Sequence, residues 1–111
     1  MKTWIIAALL GVAATQAQAG FFDGNKLYAY ITDSNALERQ QAVGYVMGVV
    51  DAGAAPGETK HGWCFALPRG ITGDQAVDIV KLYLEKDPAR REFGASGLAE
   101  AALQDAFPCQ K

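Results

Sequence analysis

Thr72-Gly73-Asp74-Gln75-Ala76-Val77-Asp78-Ile79-Val80-Lys81-Leu82-Tyr83-Leu84, followed by Glu85-Lys86-Asp87-Pro88, is the stretch that decides the fold class. Thr72 and Gln75 have capping-box spacing: the threonine hydroxyl takes a backbone N–H three residues on while the glutamine reaches back. Behind them Val77, Val80 and Leu84 share one face, with Ile79 and Tyr83 beside it, which is the spacing of a helix. Asp87-Pro88 closes this helix and opens the next, because Asp is a good N-cap and Pro is tolerated at the first helical position. The last helix is predicted over about 88–106, with Phe93, Leu98, Ala102 and Ala106 on its apolar face and Leu103 flanking. Phe107-Pro108-Cys109 ends it.

On the N-terminal side of that stretch, residues 56–71 carry Pro56, Gly57, Gly62, Pro68 and Gly70 without a sustained period, and read as irregular. The same segment holds Trp63, Cys64, Phe65 and Leu67, so the expectation is a structured loop folded back on the core. Before it, a long helix is predicted over about 36–54. Val43, Met47 and Val50 form its repeat, and Leu37, Glu38, Arg39 and Gln40 start it in a polar register. Its valines would also suit a strand, but its length and the lack of alternation favour helix. Gly44 and Gly48 lie four apart beside Tyr45, a spacing that lets another helix approach closely. A first helix over about 24–32 carries Leu27, Tyr28 and Ile31, is capped by Asp23 or Asn25, and ends at Thr32-Asp33-Ser34-Asn35. The fold class is all-α: a compact bundle of about four helices.

The N-terminus has a separate purpose. Basic Lys2, an apolar run from Trp4 to Ala14 and small residues at Ala17-Gln18-Ala19 are the three parts of a secretory signal, with cleavage before Gly20. The apolar run is 11 residues long, whereas a membrane-spanning helix needs about 20. Removing residues 1–19 leaves 92 residues, 20–111, which is one domain. The mean hydropathy of +0.03 therefore overstates how apolar the mature part is. Its formal charge is −3 once Lys2 is gone, with 9 basic and 12 acidic residues. Without Lys/Arg clusters it has no electrostatic footprint for nucleic acid or anionic lipid. The charge points to a protein partner or to none, and after cleavage no membrane association is expected.

Both cysteines, Cys64 and Cys109, fall in the exported part, and the periplasm is oxidising. They permit one intramolecular bridge, and chain-entropy reasoning values a loop of that length at about 4 kcal/mol. The competing reading is a reactive thiol or a metal pair, for which His61, the single histidine, is the only co-ligand of that type and no Cys-x-x-Cys spacing exists.

The inventory for catalysis is thin. Ser34 and Ser96 are the only serines, and neither sits in a Gly-x-Ser-x-Gly turn. No phosphate-binding glycine loop and no zinc spacing is present. Asp74 and Asp78 read as solvated acids near a positive helix end. Asp51 reads either as a buried acid or, preferably, as the polar edge of its helix. The expectation is no catalytic residues, no metal and no cofactor.

Gly24-Asn25-Lys26-Leu27-Tyr28, the run Val43-Gly44-Tyr45-Val46-Met47-Gly48-Val49-Val50-Asp51-Ala52, Trp63-Cys64, Pro68-Arg69-Gly70-Ile71-Thr72, Tyr83-Leu84, Pro88, Arg91 and Ala106-Phe107-Pro108-Cys109 occur in that order. As a set they resemble the Tai/Rap immunity proteins, over nearly all of residues 21–109. The resemblance implies a periplasmic helical protein, not an enzyme, that neutralises a peptidoglycan amidase effector delivered by type VI secretion, in a toxin–antitoxin-like pairing and with a homodimer among its forms. Members of the family often carry a further cysteine pair, at places that here hold Tyr30 and Ala42, so the first helix is expected to be held by packing alone. The surface expected to meet the amidase is the 56–63 loop, where Glu58, Lys60, His61 and Trp63 combine charge with an aromatic anchor. Trp63 also reads as a core residue beside the disulfide. The other function class compatible with these features is a stand-alone periplasmic scaffold or stress protein that binds another envelope partner.

Overall fold

The computed structural model describes residues 22–53 and 64–109. Within them lie four α-helices and one 3-10 helix: α1 (Gly24–Thr32), α2 (Ala36–Gly53), α3 (Gly73–Lys86), the 3-10 helix Pro88–Glu92, and α4 (Ala95–Ala106). The all-α reading holds, and the first three α-helix starts have a local cause. At α1 the Asp23 carboxylate accepts the Lys26 N–H at 2.8 Å. At α2 Asn35 Oδ1 accepts from the Leu37 N–H at 2.9 Å, after an Asx turn in which Asp33 accepts from the Asn35 N–H. At α3 both halves of the predicted Thr72/Gln75 capping box form, at 3.1 and 2.9 Å.

α2 packs against α1 and α3, and α4 closes the bundle against α3 and α2. The core they enclose is aliphatic: Leu27 and Ile31 from α1, Ala42, Val46, Val49 and Val50 from α2, Val77, Val80 and Leu84 from α3, and Leu98, Ala99 and Leu103 from α4. No polar or charged residue is buried among the described residues. α2 is turned relative to the expected Val43/Met47/Val50 face: Ala42, Val46 and Val49 point inward with Val50, and Val43 and Met47 are only half-buried.

The predicted last helix over 88–106 is a correction. It breaks into the 3-10 helix and α4, with Phe93 and Gly94 extended between them. Tertiary hydrogen bonding explains the break. The Gly24 N–H donates to the Phe93 carbonyl and the Ala95 N–H to the Phe22 carbonyl, both at 3.0 Å, which pairs Asp23 with Gly94 as an antiparallel bridge. Those backbone groups are therefore unavailable to a continuous helix. Phe93, expected on the buried face, is 58% exposed, Ala106 is exposed, and Leu103 is fully buried rather than flanking.

Cys64 and Cys109 are bonded, with their Cα atoms 5.5 Å apart. The bridge staples a short paired segment in which the Ala66 N–H donates to the Phe107 carbonyl and the Cys109 N–H to the Cys64 carbonyl. Phe65, between them, is buried against the core, as the folded-back loop requires. Leu67 is half-buried behind it.

The first helix is held by close packing together with the Gly24 hydrogen bond to the Phe93 carbonyl. Gly24 sits so close to the 3-10 helix that a Cβ there would meet Leu98 Cδ1 at 2.5 Å and the Arg91 carbonyl oxygen and Cα at 2.8 and 2.9 Å. Tyr30, at one of the places where relatives carry a cysteine, stacks on Phe22 with ring centroids 5.4 Å apart, and Phe22 also meets Tyr45 at 4.8 Å. Ala42, at the other place, is fully buried.

Gly44 and Gly48 are both exposed, and a Cβ on either would have open space around it among the described residues. Among those residues no helix lies close to them.

Two opposite glycine effects should follow. Gly24→Ala forces backbone apart and should cost about 1–3 kcal/mol. Gly48→Ala adds a good helix former in open space and should stabilise the protomer by about 0.5–1 kcal/mol. Denaturation midpoints of monomeric protein check both, and a Gly48→Ala monomer less stable than wild type would contradict the open space around that position. For the bridge, alkylation of exported protein should find no free thiol, and the Cys64→Ala/Cys109→Ala variant should lose about 4 kcal/mol.

Candidate interaction surface

The residues singled out for partner binding, Glu58, Lys60, His61 and Trp63, lie outside the described residues. What surrounds them is described. On one side α2 ends at Gly53, whose Cα approaches the Phe65 ring so closely that a Cβ would lie 3.0 Å from Cζ. On the other side Cys64 is bonded to Cys109, and its N–H donates to Gln104 Oε1 of α4 at 2.6 Å. Both ends of the 54–63 segment are thus fixed to packed elements, the situation in which a loop carries function on a rigid base.

The carboxylates weighed for chemistry have structural explanations. Asp74 and Asp78 are both exposed and lie one turn apart on α3. Arg39 Nη2 of α2 reaches each of them at 3.4 Å, while its Nη1 donates to the Ile31 carbonyl at 3.2 Å. One guanidinium therefore ties α1, α2 and α3 at the rim of the core, with each exposed ion pair contributing about 0.2–1 kcal/mol. Asp51 is exposed, so the polar-edge reading is the right one. Among the described residues no group of three His, Cys, Asp or Glu side chains converges as a metal site would require.

A second cluster joins α1, α3 and the 3-10 helix. The Tyr28 hydroxyl donates to Glu85 Oε2 at 2.7 Å, and the Arg91 guanidinium lies over the Tyr28 ring, 4.3 Å from its centroid. The hydrogen bond to Glu85 is the main reason the phenol is raised above its ordinary value of 10.0. Partial desolvation and the charge of Glu85 add to this, and Arg91 opposes it. A phenol held protonated in this way is a fastener, not a nucleophile.

Recesses also lie along α3 and α4. Exposed Leu82 and the half-buried Ile79 and Tyr83 lie beside Ala102 and Ala106 of α4, forming a recess of about 220 Å³. At one end Ile79 also lines a larger recess, about 510 Å³, with Arg69, Ile71 and Phe107. At the other end Tyr83 lines one of about 420 Å³ with Arg90, Phe93, Gly97 and Leu98. Ile79 and Tyr83 each border two of these recesses, which lie in a row along α3 and α4. Leu82 was passed over in reading the sequence, although its place off the Val77/Val80/Leu84 face marks it as outward-pointing. Phe93 was assigned to the core because the break at Gly94 depends on a partner strand far away in sequence.

This architecture defines the chain as a small disulfide-closed all-α domain. A family model described as Rap1a immunity proteins matches this chain over residues 23–109, most of its length. The chain belongs to the Rap1a immunity protein family. No curated protein matches it significantly. Among the described residues no helix is long and apolar enough to cross a membrane.

The Tyr28 pair has a measurable consequence. Because its pKa is raised in the folded state, the contribution of the protonated phenol is complete below pH 10 and is lost as the pH rises through the folded value. Ultraviolet titration should find one phenol ionising above the usual range, and Glu85→Ala should bring it down. A wild-type titration in which all four tyrosines ionise together at the ordinary value would contradict the pairing.

Proposed function

We propose that the mature chain is a periplasmic immunity protein that binds and inhibits a peptidoglycan amidase delivered by type VI secretion, and that it cleaves nothing itself. The observation that carries this reading is the family match over residues 23–109. Two further features support it. The Lys2, Trp4–Ala14 and Ala17-Gln18-Ala19 pattern suits export to the compartment where such an effector acts. A disulfide closing the domain suits that compartment's redox state.

An inhibitor of this kind blocks a cleft by shape and polar contact, so it needs a presented surface rather than reacting groups. Glu58, Lys60, His61 and Trp63 are the proposed presenting residues. Support comes from the fixed positions of Gly53 and Cys64 on either side of them, which lower the ordering cost of binding. The Gly44/Gly48 face of α2, open in the protomer, is the proposed contact of a homodimer.

Protection of a bacterium from its cognate effector should depend on export. Deleting residues 2–19 should abolish protection and a foreign signal peptide should restore it. Lys60→Ala with His61→Ala should weaken inhibition about tenfold, the scale of one lost interface contact, at an unchanged thermal midpoint. No protection from any neighbouring effector, together with a tight unrelated envelope partner, would replace this reading with that of an envelope scaffold.

A further inference from the structure

Glu100 of α4 is half-buried, and its Oε2 atom is closed off from water with no hydrogen-bond partner among the described residues. No described cation forms an ion pair with it: the guanidinium of Arg39 goes to Asp74 and Asp78, and that of Arg90 to Asp87. Arg91, whose Nε is the other such atom, belongs to the cluster over the Tyr28 ring. Leaving a buried acceptor unpaired is costly, more so when it is charged, so a cation within reach would be held there.

The neighbouring contacts place Glu100 on the edge of α4 that faces α2. One turn after it, Gln104 accepts the Cys64 N–H, and the next residue, Phe65, carries its ring against Gly53 at the end of α2. At the start of α4 the Ala95 N–H donates to the Phe22 carbonyl, and the Phe22 ring packs on Tyr45, about two turns before Gly53. Glu100 lies between these two attachments. Helical side chains lean toward the N-terminus of their helix, which directs this carboxylate back along α4 toward Phe22.

The sequence supplies a cation beside Phe22 once the chain is cut. Hydrolysis of the Ala19–Gly20 peptide bond adds one water across it, leaving a carboxylate on Ala19 and an α-amino group on Gly20. With an ordinary pKa of about 7.7–8.0, that amine is mostly protonated at neutral pH. Only Phe21 separates Gly20 from Phe22, and two residues span at most about 7 Å. Ala95 and Glu100 are themselves only about 7.5 Å apart along the helix axis.

We infer that the α-ammonium created at Gly20 by signal cleavage pairs with the Glu100 carboxylate, so that export itself fastens the N-terminus to the seam between α2 and α4. The inference rests on the export part of the proposed function and needs no effector. The uncut precursor has a neutral amide at Gly20 and lacks this ion pair.

The test compares the mature chain, residues 20–111, with the same chain Nα-acetylated at Gly20, each with Glu100 and with Glu100→Gln. Acetylation should lower the wild-type thermal midpoint by about 4–8 °C, as loss of one charge-assisted contact does in a domain of this size. It should leave the Glu100→Gln midpoint unmoved. Titration of the Gly20 amine followed by NMR should give a pKa above the ordinary range in the wild type and within it in Glu100→Gln. A residue that only supported packing would not move that value. Equal midpoints for the free and acetylated chains, with the amine titrating in its ordinary range, would overturn the inference. So would an exported chain that begins at a residue other than Gly20. A midpoint that falls on Lys60→Ala with His61→Ala, and not on acetylation, would give Glu100 to the 54–63 segment and overturn it as well. None of these results measures effector inhibition, so the immunity reading stands or falls separately.

Discussion

The bond between Cys64 and Cys109 is the constraint on which the rest of the arrangement depends. It joins the segment leading into α3 to the segment leaving α4, and both flanking backbone pairs form beside it. With those ends held, Phe65 is committed to the core, and its ring in turn receives the end of α2 at Gly53. A domain of this size has a total stability of only about 5–10 kcal/mol, so a cross-link worth about 4 kcal/mol is a large share of what keeps it folded.

Inside that closure the helices meet through small residues. Gly24 against Arg91 and Leu98, Ala42 and Ala76 near the middle, and Ala95, Ala99 and Ala102 along α4 let backbones come close. Such a core gains dispersion contacts from proximity rather than from side-chain bulk. No polar or charged residue is buried as a whole among the described residues. Orientation is set at the rim instead, by Arg39 across Asp74, Asp78 and the Ile31 carbonyl, and by Tyr28 between Glu85 and Arg91. The inside supplies cohesion and the edge supplies alignment.

Local signals were readable in the sequence and tertiary ones were not. Asp23, Thr72/Gln75 and the 3-and-4 spacing of Val77, Val80 and Leu84 act within a few residues, and each appears where expected. The extended turn at Phe93-Gly94 exists because Phe22 and Gly24 offer backbone partners about seventy residues away, so periodicity alone ran the last helix through it. Gly44 and Gly48 show the converse: a spacing that permits close approach does not say from which molecule the approach comes. Of the surface proposed to meet a partner, the charged residues at 58–61 stood out by composition. The recesses around Leu82 and Phe93 emerged only once α3 and α4 were placed side by side.

A helical domain of this family acts by what it covers, and its chemistry is that of fit. Gly53 and Cys64 on either side of the 54–63 segment, and the recess beside Phe107, lie near the bridge, which supports the proposal that a partner meets this end of the molecule. The most direct measurement titrates purified, oxidised mature chain into a fixed amount of the neighbouring amidase effector and follows release of peptidoglycan fragments. Release should fall to zero near equimolar chain, and the chain alone should release nothing. Undiminished cleavage in excess chain, or fragments released by the chain without effector, would contradict the immunity reading.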